Sequence, residues 1–180
     1  MRLLTISGSL RTASSNTALL EAVARLAPPG VEIVSYLGLG ELPHFNPDLE
    51  AAGPPPSVLA LRAEVGAADG VLFSSPEYAH GIAGSFKNGL DWLVGSLEFP
   101  GKPVAILNAA PRASHADAQM REILRTMSAR LIEPAMLTLP IQGSRLDAAG
   151  IAARPDLAEP IRAMLRSFVE AIREAQSAVA

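Results

Sequence analysis

Leu3-Leu4-Thr5-Ile6, followed by Ser7-Gly8-Ser9-Leu10-Arg11-Thr12-Ala13-Ser14-Ser15-Asn16-Thr17, is the stretch that decides how this chain folds. A short apolar run ended by Gly8 reads as a strand buried on both faces. Leu19, Leu20, Val23 and Leu26 then recur at helical spacing, with Ser14 or Ser15 as the candidate cap. Pro28-Pro29-Gly30 stops that helix. The chain therefore passes from a buried strand, through a hydroxyl-rich loop, directly into a helix.

The same alternation continues downstream. Val31–Val34 reads as a second strand, and Gly38–Pro56, rich in Gly, Pro, Asn and Asp, as loop. A helix is expected over Ser57–Ala67, a third strand over Gly70–Ser74, and a helix within Ile82–Leu97 that begins near Ser85. Lys102–Asn108 reads as a fourth strand, Ser114–Leu131 as helix, Ala135–Leu139 as a fifth strand and Pro155–Ala178 as a closing helix. Strands alternating with helices in this way predict a parallel sheet covered on both sides. With right-handed crossovers, the candidates are a flavodoxin-like three-layer α/β sandwich and a truncated dinucleotide-binding fold. The first, with a five-stranded parallel sheet of order 2-1-3-4-5, is the expectation taken forward. No repeat or linker divides the chain, so residues 1–180 read as a single domain, with Pro54-Pro55-Pro56 as a rigid loop exit.

Composition bounds the function. Of 180 residues 49% are hydrophobic and 18% charged, which is a globular balance. A net charge of -3 supplies no general field for nucleic acid or an anionic membrane, so neither is expected as a partner. Any phosphate must be held by a local site. The absence of cysteine excludes disulfides and thiol chemistry and fits a reducing compartment. No apolar run has the length of a signal or a membrane span, and the expected location is cytoplasmic.

Two segments carry chemistry. Ser9, Arg11, Ser14, Ser15, Asn16 and Thr17 lie where strand one enters helix one, a place where free backbone N–H groups and the helix dipole favour an anion. Capping alone requires one or two polar residues; a hydroxyl-rich loop with an arginine suits a phosphomonoester. Ser74-Ser75-Pro76-Glu77-Tyr78-Ala79-His80-Gly81 leaves strand three. In the expected sheet order strands one and three are neighbours at the switch point, outside whose carboxyl ends ligands bind. Pro76, Glu77, Tyr78 and Ala79 would present backbone groups and one aromatic face to the flat part of a ligand anchored on the first loop.

Gly8-Ser9-Leu10-Arg11 with Ser14 and Asn16, and Pro76-Glu77-Tyr78 followed by Lys87-Asn88-Gly89-Leu90-Asp91-Trp92, resemble the NAD(P)H-dependent FMN reductase family of flavodoxin-like proteins. That family includes quinone, azo-dye and chromate reductases. The resemblance implies non-covalent FMN, reduction by NADPH or NADH, and reoxidation by a small-molecule electron acceptor in a ping-pong cycle. It also implies a homodimer or homotetramer with the flavin site near a subunit interface. By position, Ser9, Arg11 and Ser14–Thr17 would hold the phosphate and Pro76–Ala79 the flavin edge. No catalytic acid, base or nucleophile is nominated, because the hydride chemistry belongs to the flavin. The chain departs from the family pattern in three places: Ala79 replaces a usual Asn, Ala83 a frequent Pro, and Ala109–His115 a glycine-rich loop.

Two other readings compete with a reductase. One is a flavodoxin-type electron carrier that holds FMN without its own nicotinamide reaction; the other is a relative that has lost flavin binding. His44, His80 and His115 lack metal-ligand spacing, and no metal is expected. Lys87 and Asp91 read as a surface ion pair, Trp92 as a core or interface residue, and Glu77 as a candidate for a salt bridge across a subunit contact.

Overall fold

The computed structural model describes residues 1–179. In chain order the strands are β1 (Arg2–Ser7), β2 (Glu32–Tyr36), β3 (Gly70–Ser74), β4 (Glu77–Tyr78), β5 (Gly81–Ile82), β6 (Pro103–Asn108), β7 (Arg130–Leu131) and β8 (Leu137–Thr138). The helices are α1 (Ser15–Arg25), α2 (Pro47–Ala52), α3 (Pro56–Ala67), α4 (Gly84–Val94), α5 (Ser114–Thr126), α6 (Ala148–Ala152) and α7 (Pro155–Val179). The main sheet is parallel and runs β2-β1-β3-β6-β7, with β8 also paired to β6. This is the expected 2-1-3-4-5 order with its fifth strand in two pieces.

Alternation of side chains across the pleat builds two cores. Leu4, Ile6, Val71, Phe73, Val104 and Ile106 face α3, α4 and α5. Leu3, Leu72, Ala105 and Leu107 face the other way, onto α1, α6 and α7. Both faces of β3 are buried along its whole length. The three layers follow from that: a strand apolar on both sides needs helices on both sides.

Four local expectations are corrected. The Gly38–Pro56 loop contains a 3-10 turn and α2, capped by Asn46, whose side chain accepts the Asp48 N–H. The helix expected to reach Leu131 ends at Thr126. Ser128 adopts φ +61, and the N–H groups of Ser128 and Ala129 return to the carbonyls of Arg125 and Leu124. This is a Schellman stop formed without glycine, so it leaves no composition signal. The fifth strand is split because Pro134, which has no N–H, sits in a 3-10 turn between β7 and β8. Between Leu139 and Pro155, where no element was expected, α6 forms behind its Asp147 cap.

The Ser74–Gly81 segment, read as a ligand-facing loop leaving strand three, runs into a hairpin over residues 77–82. Glu77 pairs with Ile82 and Tyr78 with Gly81, leaving Ala79 (φ +49) and His80 (φ +61) as the two turn residues. Both central positions at positive φ define a turn that favours Asn and Gly. Alanine in the left-handed region costs about 1–2 kcal/mol. Ala79→Asn should therefore raise stability by about 0.5–1 kcal/mol. A higher urea midpoint at unchanged m-value checks this, and a lower midpoint would contradict the turn assignment.

Candidate functional site

The carboxyl ends of β1 and β3 meet in register at Ser7 and Ser74, and the Gly8 N–H donates to the Ser74 carbonyl at 2.8 Å. Gly8 permits this approach. A Cβ there would stand 2.7 Å from the Ser75 Oγ and 2.9 Å from the Phe86 Cβ. Ser14 caps α1 in extended conformation, its Oγ accepting the Thr17 N–H. The first-turn amides of Ser15 and Asn16 have no acceptor one turn back, which is the ordinary condition of a helix start. The Ser74 hydroxyl donates to the Asn16 Oδ1 at 2.9 Å and ties the two loops together.

These segments open onto a cleft of about 890 Å³. Ser9, Arg11 and the Ser14–Thr17 turn line it on one side, and Pro76, Glu77 and Tyr78 on another. Ala79 is not in the wall; it stands at the hairpin tip. Hydrogen bonding divides the labour among the polar groups. The Ser9 Oγ accepts the Arg11 N–H and the Ser14 Oγ accepts from Thr17, so each retains its hydroxyl proton for a ligand. Thr17 Oγ1 is bonded to Ser7 Oγ and braces the loop.

Glu77 makes no ion pair among the described residues. Its Oε2 accepts the Ala116 N–H at 2.9 Å and so caps α5, whose own N-cap residue, Ala113, has no side chain able to do this. The Gln119 Oε1 accepts the Ile82 N–H at 2.8 Å from the same helix. The hairpin is thus clamped to α5. His80 and His115 meet edge to face beside this clamp, with ring centroids 4.3 Å apart. Among the described residues no group of three or more His, Cys, Asp or Glu could hold a metal ion.

Lys87 and Asp91 form the expected i,i+4 pair at 2.5 Å on the surface of α4. Ala83 is buried and begins α4 without a side-chain cap, its carbonyl accepting the Lys87 N–H. The helix entry is fixed by packing and needs no proline there.

One wall escaped the sequence reading. Gln142, Gly143, Arg145, Leu146 and Asp147 line the cleft from the segment before α6. The Ala109 carbonyl, just after β6, accepts the N–H groups of both Ile141 and Gln142 and holds this segment in place. The turn residues Gly143 and Ser144 mark a loop in the sequence, but nothing local points that loop at the Gly8–Thr17 turn. Helix α6 packs on α1, and that contact between distant parts of the chain brings the wall to the site.

The model of NADPH-dependent FMN reductases matches residues 1–142. The chain belongs to that family. It is 43% identical over 112 residues to an NAD(P)H-dependent FMN reductase of Pseudomonas aeruginosa, covering 61% of this chain and 60% of that protein. It is 44% identical over 115 residues to a probable NADPH:quinone oxidoreductase of Oryza sativa subsp. japonica, covering 61% and 58%. The chain thus spans under two thirds of the length of these curated relatives. Among solved structures, the flavoenzyme NAD(P)H:(acceptor) oxidoreductase FerB of Paracoccus denitrificans superposes with a TM-score of 0.80 at 30% identity, over 96% of this chain and 97% of that one. An archaeal flavodoxin, TM-score 0.63 at 16% identity, shares the fold.

The residues fit the flavin mononucleotide of this family. A helix start with open amides, hydroxyl protons on Ser9 and Ser14, and the exposed Arg11 suit a phosphate dianion. The Gly8 approach, which a Cβ would block, keeps the Ser9–Thr17 loop and the Ser75–Tyr78 loop on one cleft. Where the family carries a glycine-rich loop after the fourth strand, Ala109, Ala110 and Ala113 line the cleft.

Proposed function

We propose that this protein is an FMN-dependent oxidoreductase that takes a hydride from NADPH or NADH and delivers the electrons to a small acceptor such as a quinone, free flavin or azo compound. One observation carries the reading: the Asn16–Ser74 hydrogen bond joins a phosphate-type loop and an aromatic-bearing loop on a single open cleft. When bound, FMN supplies the redox chemistry, and the protein supplies position and electrostatics. The Ser15 and Asn16 amides, the Ser9 and Ser14 hydroxyls and Arg11 bind the phosphate. Pro76 and Tyr78 border the ring, and Tyr78, half exposed, offers an aromatic face at the rim. Glu77 and Gln119 act indirectly, by holding the hairpin against α5.

The acceptor is a small molecule, since the cleft is open to solvent yet concave. Among the described residues no helix is long and apolar enough to cross a membrane. Assembly into a homodimer or homotetramer belongs to the same reading; Val94 and Leu97, at and beyond the end of α4, are exposed apolar residues that a second copy would cover.

The test is an absorption spectrum of protein mixed with FMN and freed of unbound flavin, followed by anaerobic NADPH and NADH. Retained yellow colour that bleaches within seconds is expected. Colour that persists with both nucleotides points to an electron carrier, and loss of the flavin on desalting removes the proposal.

A further inference from the structure

The cleft holds a second arginine that phosphate binding at α1 leaves unused. Arg145 lines the wall contributed by residues 142–147. It takes part in none of the ion pairs among the described residues. Its backbone lies at φ +58, in the left-handed region that a long side chain seldom occupies and that persists only where the surroundings enforce it. The surroundings do enforce it. Gly143 turns the chain at φ +79; the Ser144 Oγ donates to the Ile141 carbonyl at 2.7 Å and accepts the Leu146 N–H; Asp147 caps α6 through the Gly150 N–H. An unpaired guanidinium is thus held at the cleft on a backbone better suited to glycine.

The cleft also extends past the start of α1. Glu21 lines it, roughly 9 Å along the helix axis from Ser15 at 1.5 Å per residue. Leu146 and Asp147 line it too. Glu21 and Asp147 are both beyond ion-pair distance of Arg145, and the Asp147 carboxylate is engaged by α6. An arginine with a nearby free carboxylate is the chemistry that binds the phosphate and ribose hydroxyls of a nucleotide. The α1 loop already supplies amides, hydroxyls and Arg11 for one phosphate.

We propose that Arg145 binds a phosphate of the dinucleotide hydride donor, in the part of the cleft beyond the flavin phosphate. This rests on the FMN reading above. Donor binding and flavin binding would then share one cleft but use different arginines, Arg145 and Arg11.

The test uses Arg145→Gly, because glycine accepts φ +58 without strain and the variant keeps its fold; an unchanged or higher urea midpoint shows this. FMN affinity is measured by quenching of flavin fluorescence, and NADP+ and NAD+ affinities by calorimetry on FMN-loaded protein. The expected result is at least tenfold weaker NADP+ binding with FMN affinity within about threefold, and partial recovery in Arg145→Lys. If NAD+ weakens equally, the contact is to the shared diphosphate; if NAD+ is unaffected, it is to the 2′-phosphate. Weakened FMN binding beyond that limit, or unaltered NADP+ binding, overturns the inference. Failure of the unaltered protein to retain FMN overturns instead the reading on which it rests.

Discussion

Arg11→Ala should weaken FMN binding about tenfold to hundredfold, since charge-assisted hydrogen bonds contribute about 1.5–3 kcal/mol. Arg11 forms no ion pair among the described residues, and its only hydrogen bond there is from its backbone N–H to the Ser9 Oγ. The side chain contributes nothing visible to the fold, so the substitution should leave the unfolding midpoint unchanged. Arg11 is exposed, and its attraction for phosphate is therefore screened. The gap between parent and variant should narrow as salt is raised. A fluorescence titration at low and high ionic strength reads both effects, and equal affinities at low salt would remove Arg11 from the phosphate site.

Trp92→Ala should destabilise the fold by about 3–5 kcal/mol, the usual range for truncating a buried large aromatic. Trp92 is fully buried and meets the Phe45 ring edge-on, with centroids 5.0 Å apart. Its Nε1 donates to the Pro43 carbonyl at 2.8 Å, an acceptor shared with the Asn88 Nδ2 at 3.0 Å. The Asn88 Oδ1 in turn accepts the Phe45 N–H at 2.8 Å. Truncation would open a cavity and loosen the 43–45 loop at once. Trp92→Phe retains most of the packing and should lose clearly less. Urea unfolding of both variants checks the pair, and a loss below about 1 kcal/mol for Trp92→Ala would mean that the loop is not held as described.

The second prediction also explains the Lys87–Trp92 block, whose family resemblance is so specific. None of its residues lines the cleft. Asn88 and Trp92 grip the 43–45 loop, and a Cβ on Gly89 would stand 2.7 Å from the Leu39 Cδ1. A motif that marks a flavin-binding family thus works as scaffold in this structure, outside the wall of the cleft it accompanies.

The strand–loop–helix reading of Leu3–Thr17 and the sheet order could be read without coordinates, and nine of the ten nominated residues line one cleft. All rest on local signals: an apolar run, helical spacing, a capping serine, a loop leaving a buried strand. What local signals could not supply was any outcome of competition between distant segments. One miss was local: the helix stop at Ser128 uses the nearby carbonyls of Leu124 and Arg125 and needs no particular residue type. The role of Glu77 is set by Ala116, 39 positions away, and that of Asn16 by Ser74, 58 positions away. Arg145 reaches the cleft because α6 packs on α1 and Ala109 holds the chain between them. Sequence patterns encode which backbone conformation each segment prefers and which face it must bury. The partner of each polar group is chosen only when those buried faces meet, because a hydrogen bond needs two groups at about 3 Å and neither group alone records where the other will be.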